Sequence, residues 1–173
     1  MLKRVIIGGS SEIPAWTTMN ADPSTNPDIL SDICDLSQIE ENSVSVFYMS
    51  HVFEHIPLFK VESTLKKLFT AMTSNSTLYI SVPDLSILGK QLESQQLGIQ
   101  QKIHVLRMIY GGQVSDFDFH YFGYTFEVLS FFLQAAGFHN IRKVKYFNLH
   151  KDTSNFSPYF DTTISLNIIC HKS

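Results

Sequence analysis

The sequence predicts an α/β fold with a mainly parallel sheet, one antiparallel strand near the C-terminus and helices on both faces. Three observations carry this expectation. The strand candidates of the first half are continuous apolar runs rather than alternating ones, as strands covered on both faces require. A strong helical period lies between two of them. Two extended segments then close the chain on either side of a Ser/Pro loop, where an antiparallel hairpin fits.

The elements follow in order. "LKRVIIGG" is a β-branched run ending in paired glycines, a first strand that delivers a tight turn. "AWTTMNAD" is a weaker strand closed by Asp22-Pro23, and "PSTNP" is a turn-rich loop before the short extended segment "DILSDI". "NSVSVFYMS" is the clearest strand of this half. In "LFKVESTLKKLFTAM", Leu58, Val61, Leu65, Leu68, Phe69 and Met72 recur at helical spacing, with Lys and Glu opposite. "STLYISVPD" is a strand ended by Pro83. Residues 83–124 read as a partly helical insertion, and "TFEVLSFFLQAAGF" as a helix capped by Thr125 and closed by Gly137. "NIRKVKYFNLH" and "DTTISLNIICHK" are the final strands. Nothing in this succession marks a linker, so residues 1–173 read as one domain, with 83–124 as its lid.

Composition narrows the function. The 173 residues are 44% hydrophobic and 13% aromatic, ample for one core, and the formal net charge is -3. Without a Lys/Arg-rich run, a phosphate backbone is not an expected ligand, so no nucleic-acid partner is predicted. Lys66-Lys67 and Arg142-Lys143-Lys145 read as solvated faces. The apolar run of "MLKRVIIGG" is too short for a signal-peptide core or a membrane span, which predicts a soluble, cytoplasmic protein with no membrane insertion. Cys34 and Cys170 lack metal or redox spacing and read as two buried thiols.

The stretch "YMSHVFEHIP" holds His51-Val52-Phe53-Glu54-His55, which admits two readings. As H-x-x-E-H it matches a zinc-protease pattern, in which two imidazoles hold the ion and the carboxylate is the base. That needs a stable helix and a third ligand. Pro57 favours a new helix starting after His55, so that Glu54 and His55 brace the turn after the fourth strand. No metal is expected on that reading. His120, in "FDFHYFGY", is a candidate proton acceptor or a packed core residue. Phe117, Phe119, Tyr121, Phe122 and Tyr124 around it read as core or lid.

Taken in order, "VIIGGS", "NAD", "SDICDL", "NSVSVFYMSHVFEHI", "YISVPDL" and "IYGGQVSDFDFHYFGYTFEVLSFFLQAAGF" resemble class I S-adenosylmethionine-dependent methyltransferases of the methyltransferase domain 11 type. The resemblance implies a Rossmann-like methyltransferase fold, with S-adenosylmethionine as cofactor and methyl transfer to a small-molecule or glycan/glycolipid acceptor as the activity. It implies that Gly8, Gly9 and Ser10 form the glycine turn at the cofactor's methionine end. Asp22 would then accept from the ribose hydroxyls, Asp32 and Ile33 would meet the adenine, and Ser50 and His51 would line the methyl end. His51 and His120 are the candidate catalytic side chains. Asp35 is then a turn residue. The sequence departs from the family in having Gly8-Gly9-Ser10 for the usual G-x-G and no room in "SSEIPAW" for the helix that normally follows the first strand. A non-catalytic scaffold of the same fold is therefore the alternative function.

Overall fold

The structure, a computed structural model, describes residues 2–9, 13–149 and 152–173. Seven strands form one sheet: β1 Lys3–Ile7, β2 Thr17–Asn20, β3 Ile29–Leu30, β4 Val44–Ser50, β5 Met72–Pro83, β6 His139–Val144 and β7 Ser165–Lys172. Their spatial order is β3-β2-β1-β4-β5-β7-β6. β1 pairs parallel to β2 and β4, β2 to β3, and β4 to β5. β7 runs antiparallel to both β5 and β6, and is the one reversed strand that the sequence predicts.

Four helices accompany the sheet: α1 Leu58–Ala71, α2 Leu85–Glu93, α3 Ile99–Tyr110 and α4 Phe126–Ala135. α1 buries Val61, Leu65 and Leu68, four and three residues apart, so that one stripe faces the sheet. Each such side chain contributes about 2 kcal/mol by leaving water. α4 joins it through Leu129 and Leu133, and this main core takes Val5, Ile7, Phe47, Met49, Leu78 and Ile80 from the central strands. Two expected helix positions differ. Leu58 is 48% exposed, and Met72 already belongs to β5. The carboxyl end of α1 is met from outside the helix: Lys172 Nζ of β7 donates to the Phe69 carbonyl of α1 at 2.8 Å and to the Met72 carbonyl just beyond it at 2.6 Å.

The opposite face of the sheet carries a second cluster made of strand and loop residues. Ile6, Tyr48, Phe147 and Ile169 are buried there, with Trp16, Tyr79 and Val144 packed against them. Phe147 meets Tyr48 and Tyr79 edge-on, at 5.5 Å between centroids in both pairs. Aromatic side chains thus cover this face of the sheet. The Tyr48 hydroxyl donates to the Asp152 carboxylate and fixes the loop before β7. Its ionisation is pushed well up by burial and then by this hydrogen bond. Within residues 83–124, α2 and α3 build a third cluster around Leu88, Leu97 and Val105.

Two expectations about polar side chains need correction. Lys143 is not simply solvated: its Nζ lies 2.6 Å from Asp84 Oδ2, and Asp84 is 1% exposed. Of the two thiols, Cys170 is buried but Cys34 only half-buried, because Cys34 sits in an edge loop rather than a central strand. Among the described residues, no helix is long and apolar enough to cross a membrane.

Asp84 caps α2 by accepting from Ser86 N–H at 3.0 Å while holding Lys143. Asp84→Ala removes both interactions and is expected to cost about 2 kcal/mol, read as a lower urea midpoint at unchanged slope. At the sheet edge, Asp28 Oδ2 accepts from the Thr18 amide at 2.8 Å and the Thr18 hydroxyl at 2.9 Å. These bonds hold the Asp28 carboxyl below its ordinary value of 3.8. A depressed folded-state value contributes stability that is complete above the unfolded value and lost as pH falls through the folded one. The stability difference between wild type and Asp28→Asn should therefore be constant above about pH 5 and shrink toward pH 2.

Candidate functional site

The strand order turns at β1. β2 lies on one side of β1 and β4 on the other, so the chains leaving β1 and β4 diverge and open a crevice at their carboxyl ends. A cavity of about 450 Å³ occupies this position, within the range of small-molecule sites. Its walls include Gly8 after β1, Asn20 at the end of β2, Asp32 and Ile33 after β3, and Ser50 and His51 at the end of β4.

Gly8 has φ +81°, and a Cβ there would lie 2.4 Å from Val52 Cγ2. Both the backbone conformation and the approach of the loop after β4 require glycine. His51 also lies in the left-handed region, at φ 54°, with its amide donating to the Ser81 carbonyl at 2.9 Å. For a residue with a side chain this conformation costs about 1–3 kcal/mol, offset by whatever fixes the ring. His51 Nε2 lies 2.8 Å from Ser165 Oγ and Nδ1 lies 3.2 Å from Glu54 Oε1.

The structure brings together most residues of the expected cofactor set. Gly8, Asp32, Ile33, Ser50 and His51 all line the cavity, whereas Gly9 and Asp22 are not on its walls. Ser10 lies outside the described residues. The Asp22 carboxylate caps a short turn instead, accepting from Ser24 N–H at 2.8 Å. The hydrogen bonds from Ser24 hold it below its ordinary range. The strand-end position belongs to Asn20, whose Nδ2 donates to the Gly9 carbonyl at 3.2 Å and whose Oδ1 accepts from the Asp22 amide at 3.0 Å. Sequence reasoning passed over Asn20. Its place as the last residue of the second strand was the available signal. Asp35 is the turn residue expected, accepting from Ser37 N–H at 3.0 Å.

The aromatic segment divides by register. Phe117, Phe119 and Tyr121 line the cavity, while Tyr124 is fully buried against Phe53. Gly111 makes this possible: at φ +83°, a Cβ would fall 2.0 Å from the Asp118 carbonyl oxygen. The segment docks on the short 3-10 turn Phe53–His55, with Tyr121 N–H donating to the Glu54 carbonyl at 2.9 Å. His120 is not on the cavity wall; it borders a small adjacent void together with Glu54. Burial lowers its basicity, the Glu54 charge opposing that effect. For Glu54, burial favours the neutral acid. The approach of the His51, His55 and His120 rings, His51 foremost at 3.2 Å, outweighs it and holds the carboxyl below its ordinary range.

Solved structures share this architecture. A SAM-dependent methyltransferase from Mesorhizobium loti superposes with TM-score 0.66 at 12% identity, over 99% of this chain and 91% of that one. Another from Archaeoglobus fulgidus gives 0.64 at 15% identity, over 99% and 86%. Human N-acetylserotonin methyltransferase, in complex with SAM, gives 0.55 at 12% identity, over 98% of this chain and 47% of that one. The chain has the class I methyltransferase fold. No family model and no curated protein sequence matches it. Within this methyltransferase fold, the cavity lies where the sheet order reverses.

Gly8→Ala tests the turn that shapes the cavity. The variant is expected to lose about 1–3 kcal/mol of stability from the positive φ alone. Adding Val52→Ala should restore only the part due to the clash, as measured by paired denaturation curves.

Proposed function

We propose that the protein is an S-adenosylmethionine-dependent methyltransferase acting on a small-molecule or glycan-type acceptor. The observation that carries this reading is the convergence of Gly8, Asn20, Asp32-Ile33 and Ser50-His51 on one cavity at the strand-order reversal. The donor set fits the cofactor. A side-chain amide at Asn20 and a carboxylate at Asp32 offer partners for hydroxyl and amino groups, and Gly8 leaves the backbone open to close approach. When bound, the cofactor would supply an electrophilic methyl group on a sulfonium, which the acceptor's nucleophile would take as the S–CH3 bond breaks and S-adenosylhomocysteine leaves as a neutral thioether. The chain's own contribution is alignment, since fixing two reactants in line is worth more than a base in such a displacement.

Phe117, Phe119 and Tyr121 give the cavity aromatic lining that a bound ligand would cover. Ser50 and His51, at the carboxyl end of β4, line the cavity, and on this reading they flank the transferred methyl group. The finer assignment to the domain 11 type rests on the ordered residue set from Gly8 to Phe138, and the glycan acceptor on that resemblance alone.

Calorimetric titration with S-adenosylhomocysteine tests the reading. One-to-one saturable heat is expected, whereas no heat and no thermal shift at millimolar ligand would replace the enzyme by the scaffold alternative. Asn20→Ala should weaken that binding by about 1–3 kcal/mol, because cofactor hydroxyls lose a partner. Asp22→Ala should leave it unchanged while lowering stability through the lost cap. Equal effects of the two substitutions would move the ribose site back to Asp22.

A further inference from the structure

Glu54 is 1% exposed, and among the described residues neither of its carboxylate oxygens has an aligned hydrogen-bond donor. An ionised carboxylate buried in this way calls for a cation or a proton. Three imidazoles surround it. His51 Nδ1 lies 3.2 Å and His120 Nε2 3.9 Å from Oε1, and the His55 ring meets that of His120 edge-on at 4.7 Å between centroids. One donor atom from each of Glu54, His55 and His120 falls within 4.8 Å of the other two.

The outer contacts of these rings fix their tautomers. His55 Nδ1 lies 2.9 Å from the Phe119 carbonyl and His120 Nδ1 3.2 Å from the Ile109 carbonyl. A carbonyl only accepts, so both Nδ1 atoms carry the proton and both Nε2 atoms of the neutral rings present a lone pair. The Ser165 hydroxyl donates to the Thr153 carbonyl at 3.1 Å, so it accepts from His51 Nε2–H. A neutral His51 then turns its Nδ1 lone pair toward Glu54. Lone pairs facing a buried carboxylate repel it unless a positive charge lies between them. Anchoring the far ring nitrogen on a carbonyl or hydroxyl is also how proteins orient metal-binding histidines.

We propose that Glu54, His55 and His120 bind a first-row divalent cation, with His51 Nδ1 completing the ligand set. Nitrogen-rich donors with one carboxylate suit zinc, manganese, iron or cobalt rather than magnesium or calcium, which prefer oxygen alone. Bonds of about 2.0–2.2 Å bring ligand atoms to roughly 3.3 Å from one another, a closure that side-chain torsions supply. The H-x-x-E-H letters thus regain a metal, but through a different constellation from the helical one weighed in the sequence. The third ligand comes from the aromatic segment, 65 residues beyond His55, which the local pattern could not supply. The site adjoins the cofactor cavity, with which it shares His51 and His55. On the methyltransferase reading, an ion beside His51 and His55 would bind an acceptor hydroxyl and lower its pKa.

The test uses the full chain, stripped with chelator and titrated calorimetrically with Zn²⁺ and with Mn²⁺ in the absence of any adenosyl ligand. One equivalent per chain is expected with at least one of the two ions, with a thermal shift that chelator reverses. Affinity should fall at least tenfold in Glu54→Gln, His55→Ala and His120→Ala, and stay unchanged in His104→Gln, whose ring bonds to Tyr159 elsewhere. Should Glu54→Gln fail to fold, His120→Ala carries the test, since that residue lies on a loop. Absence of stoichiometric binding to the wild type would overturn the proposal. So would wild-type affinity in His55→Ala and His120→Ala, which would place the ion elsewhere, for example at His139 and His171. Because no adenosyl ligand is present, failure here and failure of cofactor binding are separate results.

Discussion

Parallel pairing of β1 with a neighbour on each side is the constraint on which the rest of the molecule depends. The register of Val5, Ile6 and Ile7 against Thr17–Met19 on one side and Phe47–Met49 on the other brings the ends of β2 and β4 level with Gly8. Everything beyond that level must turn away, and the two connections turn in opposite directions. The crevice is therefore a consequence of strand order, and its walls are whichever residues happen to end the strands. Gly8 allows the loop after β4 to close to the distance observed, so the backbone conformation of one residue sets the width of the opening.

A second dependence runs through Glu54. Its backbone carbonyl accepts from the amide of Tyr121, and the His55 ring donates from Nδ1 to the carbonyl of Phe119, so the turn after β4 and the aromatic segment are held as one unit. The segment can approach because Gly111 admits the Asp118 carbonyl where a side chain would stand. Three imidazoles then converge on one buried carboxylate. The same contacts that brace the turn orient the rings, so structural support and ligand geometry are two aspects of one hydrogen-bond set.

The face of the sheet opposite α1 is covered by aromatic side chains. Tyr48, Tyr79 and Phe147 pack against one another there, and Arg4 lies 5.1 Å from the centre of the Trp16 ring. Large aromatic surfaces bury strand backbone with few residues, here two from the strands and one from the chain after β6.

Much of the fold was legible in the sequence because its signals are local. The apolar runs of β1, β4 and β5, the spacing of Val61, Leu65 and Leu68, the Thr125 cap and the Gly137 stop each depend on residues a few positions apart. The reversed final strand was likewise readable from the hairpin pattern. The candidate site was legible where position along a strand decides it, as for Gly8, Asp32, Ser50 and His51. Only the tertiary structure puts Asn20 rather than Asp22 on the cavity wall, because two residues past a strand end the chain has already turned and the carboxylate caps the turn at Ser24. Only it could unite His120 with Glu54 and His55, or pair Lys143 with Asp84. These contacts join segments 59 or more residues apart, and their geometry depends on packing that no local spacing records.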